Sequence, residues 1–197
     1  MIVGILALQG DVEKHAKILQ GLEIESRSVR YKHDLDGLKG LIIPGGESTT
    51  MTHLLKKMDL YETIQSFAKD TPVLGTCAGM IMMSKKVDHT LVEPLNIMDI
   101  EVDRNAYGRQ VHSFVDDLQV RLNGHTENIP ATFVRAPKIS KMGKDIEVLA
   151  EYDGEPCAVR QGKHMALAFH PELDGVNIFH KELFIKNESV SGSSNAA

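Results

Sequence analysis

Cys77 lies in Gly75-Thr76-Cys77-Ala78-Gly79, between the apolar runs Pro72-Val73-Leu74 and Met80-Ile81-Met82-Met83. That order reads as strand, tight turn and helix, with one thiol at the apex. A Gly-x-Cys-x-Gly turn is the thiol counterpart of the nucleophile elbow, in which the reactive atom stands exposed at a strand's carboxyl end. Glycines let the chain turn sharply and let neighbouring backbone approach closely. The helix N-terminus beneath favours a thiolate and offers N–H groups to an anion. Taken alone, the pattern also suits an inert buried cysteine, a common state of that residue. The chemical reading needs a base and an orienting carboxylate elsewhere in the chain.

Phe169-His170-Pro171-Glu172 supplies both. It follows the apolar run from Met165 to Phe169, which places His170 at a strand's carboxyl end, where catalytic groups of open α/β sheets gather. A carboxylate beside an imidazole holds its tautomer and stabilises the imidazolium. By themselves, His170 also reads as a surface loop histidine and Glu172 as a helix-start acid. A third stretch, Pro44-Gly45-Gly46-Glu47-Ser48-Thr49-Thr50, follows a buried run. It has neither the lysine of a phosphate-binding loop nor a G-x-G-x-x-G pattern, so it does not indicate a nucleotide site. Its glycines can turn backbone N–H groups toward an oxyanion; a turn with a Ser/Thr helix cap fits the same residues. The histidines outside this set, His15 and His180 among them, have no metal-ligand spacing, so no metal is assigned. Cys157 sits in a strand-like run and reads as a core thiol.

The elements that must carry these residues follow from periodicity. Ile2–Leu8 is a continuous apolar run, as a buried parallel strand requires. Asp11 is placed to cap a helix running to about Leu22. Strands are expected at Ile24–Tyr31 and Gly40–Ile43, and helices at Met51–Met58 and Tyr61–Ala68. The first 84 residues thus predict an α/β fold with a mainly parallel central sheet flanked by helices. Beyond Lys86 the texture becomes short strand-like runs: Leu95–Val102, Gln110–Phe114, Leu118–Leu122, Thr132–Val134, Val148–Tyr152 and Cys157–Arg160. These predict additional antiparallel strands. Met165–Phe169 returns to the central sheet, and Gly175–Lys186 predicts a last helix. Residues 1–188 read as one domain, and 189–197, small and polar, as a flexible tail.

The chain has 197 residues, 42% hydrophobic and 25% charged, and a formal charge of −5. These are ordinary values for a soluble globular domain able to bury a sizeable core. The acidic balance and the absence of a Lys/Arg run argue against nucleic acid as a partner. No apolar stretch reaches membrane-spanning length, and the first residues lack the pattern of a signal peptide. Two cysteines imply a reducing, cytoplasmic setting.

Pro44-Gly45-Gly46-Glu47-Ser48, Gly75-Thr76-Cys77-Ala78-Gly79 and His170-Pro171-Glu172, in this order and spacing, resemble a class I (triad-type) glutamine amidotransferase. Leu8-Gln9-Gly10, Glu47-Ser48-Thr49-Thr50, the run Arg104 to Gln110 and Phe133-Val134-Arg135-Ala136-Pro137 are similar, more narrowly, to glutaminase subunits of pyridoxal 5′-phosphate synthase. The likeness spans residue 2 to about 187. The resemblance implies that Cys77 attacks the amide of L-glutamine, that His170 carries the proton and that Glu172 orients His170. It implies a flavodoxin-like sheet, no cofactor, and an oxyanion held by the N–H groups of Gly46 and Ala78. Gly46, Glu47, Ser48, Arg104, Val134 and Arg135 match the family's glutamine-binding positions; without the resemblance, Arg104 and Arg135 read as ion-pair residues. The implied partner is a (β/α)8-barrel synthase subunit that receives the ammonia within a hetero-oligomer. In the family the glutaminase is idle until that partner docks, and the Pro44–Gly46 loop is the candidate moving part. Two other readings stay open: the same triad serving a synthase of histidine or purine biosynthesis, against which the 104–110 run argues, and a non-catalytic module on this scaffold, against which His170 and Glu172 argue.

Overall fold

The computed structural model describes residues 1–104 and 113–186; residues 105–110 of the family-like run and the tail 189–197 lie outside them. Its centre is a seven-stranded sheet. The strands are β1 (Ile2–Leu6), β2 (Glu25–Val29), β3 (Gly40–Ile43), β4 (Val73–Thr76), β10 (Glu147–Tyr152), β11 (Glu155–Gln161) and β12 (His164–Leu167). Their order is β10-β11-β12-β4-β3-β1-β2. The five strands from β12 to β2 run parallel, while β10 and β11 add antiparallel at one edge. The fold class read from the sequence is therefore the fold observed.

The four inner parallel strands, β12, β4, β3 and β1, are apolar because helices cover the sheet and keep their side chains from water, whereas the edge strand β2 is polar and mostly exposed. Val3, Ile5, Leu41, Ile42, Val73 and Leu74 are at most 1% exposed. The covering helices are α1 (Val12–Gly21), α2 (Ser48–Lys57), α3 (Tyr61–Asp70) and α4 (Ala78–Met83). Asp11 caps α1 by accepting from the Lys14 N–H at 3.4 Å. The chain goes one way from β1 to β2 and the other way from β1 through β3 to β4. The sheet's switch point thus falls between β1 and β3, where open α/β sheets form their crevice.

Several boundaries differ from the sequence reading. The run Leu95–Val102 becomes strand only in β6 (Ile100–Asp103). The amides of Leu95, Asn96, Ile97 and Met98 donate instead to the carbonyls of Met82, Ser84 and Met83, capping the end of α4, and Asn96 sits at φ 51°. β6 pairs with β5 (Lys86–Val87) and with β9 (Lys138–Met142), which the sequence reading did not predict. Leu118–Leu122 belongs to one longer strand, β7 (Phe114–Leu122), paired with β8 (His125–Phe133). Asn123 and Gly124 join them at φ 50° and 77°, as a tight hairpin turn demands. Pro130 is tolerated in β8 because this ribbon has only two strands. The predicted last helix is an α-helical turn, α5 (Ile178–His180), continued by a wider π-type turn from Lys181 to Lys186. Phe179, His180, Glu182, Leu183 and Phe184 are all buried, more than one ordinary helical stripe.

Candidate active site

Four neighbouring parallel strands end at one place. Gln9 and Gly10 follow β1, Gly45 and Gly46 follow β3, Cys77 follows β4, and His170 follows β12. Sheet order therefore converts four distant stretches of sequence into one cluster. Cys77 adopts φ 50°, ψ −106°, a conformation L-residues rarely take. Such a residue stores about 1–3 kcal/mol and persists only where its surroundings over-determine it. The surroundings here are tight. The Cys77 N–H donates to the Leu167 carbonyl of β12 at 2.8 Å. A Cβ on Gly75 would lie 2.5 Å from the Met83 sulfur, and one on Gly79 would lie 2.0 Å from the Ile43 carbonyl oxygen. The two glycines are what allow the elbow to seat against β3 and α4.

His170 Nδ1 is 2.7 Å from Glu172 Oε1. Burial opposes a charge on this imidazole, but hydrogen bonds to the Cys77 thiol and to Glu172, with both their charges, outweigh it and raise its pKa to about 10. An imidazolium so placed is the partner a thiolate nucleophile requires. The ring is fixed from two further sides. A Cβ on Gly45 would fall 2.3 Å from His170 Cε1, so the loop after β3 packs closely against that edge of the imidazole. The backbone N–H of His170 donates to the Thr132 carbonyl at 2.9 Å, and Asp174 accepts from the Thr132 N–H at 2.8 Å and its hydroxyl at 2.7 Å. The aromatic rings of Phe133, Phe169 and Phe179 pack in series, 5.6 and 5.7 Å apart, and tie β8 to the same loop. Cys77 Sγ itself lies 3.7 Å from the Val134 carbonyl oxygen.

A cavity of about 480 Å³ opens over these groups, lined among others by Gly46, Glu47, Ser48, Cys77, Arg104, Val134, Arg135 and His170. That is the size of a small-molecule site. Glu47 caps α2: its carboxylate accepts from the N–H groups of Thr49 at 3.1 Å and Thr50 at 2.7 Å. Burial alone would raise its pKa, but these bonds and those of both threonine hydroxyls carry it down to about 2. The same carboxylate holds Arg104 Nη2 at 3.1 Å. Arg104 Nη1 and Ser48 Oγ are buried with no partner among the described residues. Buried polar groups in that state are rare, and beside a cavity they suit a polar ligand. Arg135 is exposed at φ 45°.

The six substrate positions inferred from sequence line one cavity together with Cys77 and His170, while Glu172 lies buried behind His170. Ala78, the other expected oxyanion donor, is the first residue of α4, where an N–H has no acceptor within its helix. Two residues that hold the site had no assigned role. Gln9 brackets Glu47: its Oε1 accepts from the Glu47 N–H at 3.3 Å and its Nε2 donates to the Glu47 carbonyl at 2.5 Å. The stretch Leu8-Gln9-Gly10 had marked it, without a function. Asp174 carried no signal beyond lying two residues after Glu172.

Behind Glu172 lie two fully buried histidines, His15 and His180. Burial, opposed in part by the Glu172 charge, holds His15 down at about 4, and burial holds His180 at about 3, against an ordinary 6.5. The unfolded chain therefore binds more protons than the folded one between these values, and stability must rise with pH there. It is complete above pH 6.5 and is lost as pH falls through about 4. We expect the melting temperature to drop over that window, and to drop less in His180→Phe; equal pH dependence in the two proteins would contradict this.

A strained cysteine elbow at the end of one parallel strand, with an imidazole and a carboxylate just after the neighbouring strand, sets a thiol beside a base, the arrangement that nucleophilic catalysis by a thiol requires. The SNO glutamine amidotransferase family model matches residues 5–190, and the chain belongs to that family. It is 49% identical over 190 residues to the pyridoxal 5′-phosphate synthase subunit PdxT of Herpetosiphon aurantiacus, covering 94% of this chain and 99% of the relative. The protein of the same name from Francisella philomiragia is 45% identical over 179 residues, covering 91% and 95%. A crystal structure of a glutamine amidotransferase superposes with TM-score 0.86 at 40% identity, covering 93% and 97% of the two chains. The structure of PurLQS from Thermotoga maritima shares the fold, with TM-score 0.66 at 17% identity and 92% and 96% of the two chains covered.

Proposed function

We propose that this chain is the glutaminase subunit of a pyridoxal 5′-phosphate synthase, hydrolysing L-glutamine to L-glutamate and ammonia. The observation that carries the reading is Cys77 and His170 lining the cavity, with Glu172 bonded behind His170, in a chain whose relatives are named as that enzyme's subunit. The Cys77 thiolate attacks the side-chain amide carbon. The oxyanion is held by the N–H groups of Gly46 and Ala78, each such donor being worth roughly 100- to 1000-fold in rate. His170 protonates the departing nitrogen, ammonia leaves, and a γ-glutamyl thioester remains. His170 then draws a proton from water, which attacks the thioester and frees glutamate and the thiol. Arg104 and Arg135 supply guanidinium groups for the α-carboxylate. Ser48, Val134 and the backbone of Glu47 complete the substrate contacts.

The reading extends to a cytoplasmic hetero-oligomer in which residues 1–188 act as one amidotransferase unit. The partner is a (β/α)8-barrel synthase that takes the ammonia before water protonates it. Docking completes the oxyanion hole by reorienting the Pro44–Gly46 loop. The test is glutamine hydrolysis by this chain with and without the synthase. We expect poor turnover alone and strong activation in the complex. Equal rates would sink the docking step. Activation only by a synthase of histidine or purine biosynthesis would redirect the ammonia and leave the triad standing.

A further inference from the structure

Glu172 is only 4% exposed, and its two oxygens have unequal surroundings. Oε1 accepts from His170 at 2.7 Å. Oε2 has no hydrogen-bond partner among the described residues, and the ring that faces it is His15, whose Nε2 is 3.5 Å away. At that separation the contact is electrostatic and just longer than a good hydrogen bond. His15 comes from α1. Its Nδ1 is 3.0 Å from Nε2 of His180, and its Nε2 is 3.4 Å from the Thr76 hydroxyl, one residue before the nucleophile. Four side chains therefore stand in line through the core: His170, Glu172, His15 and His180.

The proton positions in this line follow from elimination. Both rear rings are neutral under burial, so each carries one N–H. A lone pair on His15 Nε2 would face the Glu172 carboxylate and be repelled, so Nε2 carries the hydrogen. Nδ1 of His15 is then an acceptor, and His180 Nε2 must donate to it. That leaves His180 Nδ1 as a bare lone pair, and this atom is buried without a partner among the described residues. The opposite assignment would bury an unpaired N–H there instead. Among the charged and titratable groups, Glu172, His180, His170 and Asp11 bear on His15.

We propose that His15, locked in its Nε2–H tautomer by His180, is a positioning residue for Glu172, holding the rear carboxylate oxygen so that the front one stays aimed at His170. The assignment rests on the triad reading above. It gives the histidine pair a role distinct from filling the core: an orienting group that is itself oriented, as outer partners orient active-site ligands.

Three measurements test it. Imidazole nitrogen shifts in ¹⁵N-histidine-labelled chain should show His15 protonated at Nε2; protonation at Nδ1 overturns the proposal. In the complex with the synthase, His15→Asn retains an acceptor for His180 but no donor for Glu172, whereas His15→Gln places an amide N–H near the lost Nε2. We expect His15→Asn to lower kcat for glutamine hydrolysis by about ten-fold, the lower end of what losing an outer partner of a functional ligand costs, with KM unchanged. His15→Gln should recover most of that loss. Equal impairment of the two variants, or none in His15→Asn, overturns the proposal. Should either variant fail to fold, the tautomer in the native chain still decides. Turnover surviving in Cys77→Ala would instead remove the triad; a dead Cys77→Ala beside an unimpaired His15→Asn would remove only the positioning role.

Discussion

Replacing Cys77 with alanine is expected to lower glutamine hydrolysis in the complex by roughly ten thousand- to a million-fold, as loss of the attacking atom does in comparable triads. The fold should survive. The backbone at φ 50° is held by the Leu167 carbonyl and by close contact with β3, neither of which uses the sulfur. What changes is His170. Without the thiol it keeps one of the two hydrogen-bonding partners that hold its proton, so its pKa should fall below about 10. Covalent labelling by an electrophilic glutamine analogue should disappear together with turnover. An alanine variant that still labels would show that another nucleophile does the chemistry.

The second large effect is on stability. Gly79→Ala puts a methyl group 2.0 Å from the Ile43 carbonyl oxygen and 2.9 Å from its carbon. Alanine in a helix is worth about 1 kcal/mol over glycine, which favours the variant. The overlap is backbone against backbone, at the buried end of β3, so no side-chain rotation relieves it. Overpacking of that kind costs roughly 3 kcal/mol or more, and it outweighs the helical gain. We expect the melting temperature to fall by several degrees, at about 2–4 °C per kcal/mol for a chain of this size. Activity should fall further than stability, because the displaced strand leads into Gly45, which packs against His170. Unchanged melting and turnover would refute the contact.

The parallel half of the fold was legible because its signals are local: apolar runs of strand length, each closed by Gly or Asp, alternating with helical spacing. The motifs of the candidate site were legible for the same reason, since each announces itself within five residues. The hairpins were harder. Asn123-Gly124 and Asp153-Gly154 do mark tight turns, and both pairs take positive φ. However, Asp116 and Asp117 hide the strand character of β7, and Pro130 interrupts β8. Leu95–Ile97 has the apolar content of a strand, yet its amides serve the end of α4; nothing local reports a hydrogen bond made to a distant carbonyl. The roles of the supports of the site were not legible, although Gln9 itself lay in a marked stretch. Gln9, His15 and Asp174 matter through partners 38, 165 and 42 positions away. Only the sheet order brings them together.

That order has a consequence for synthesis. β12 slots between β11 and β4, pairing Met165 with Leu74 and Leu167 with Thr76. The strand that delivers the imidazole is thus the last of the sheet to be made, and it seats directly against the strand that delivers the thiol. Closing so long a loop is entropically unfavourable until the pairing forms, and distant pairings form slowly. A chain still on the ribosome and ending before residue 165 would hold the nucleophile but no base, and the Cys77 N–H would lack its Leu167 acceptor. Amide-cleaving capacity therefore arrives only after every other strand of the sheet has been made.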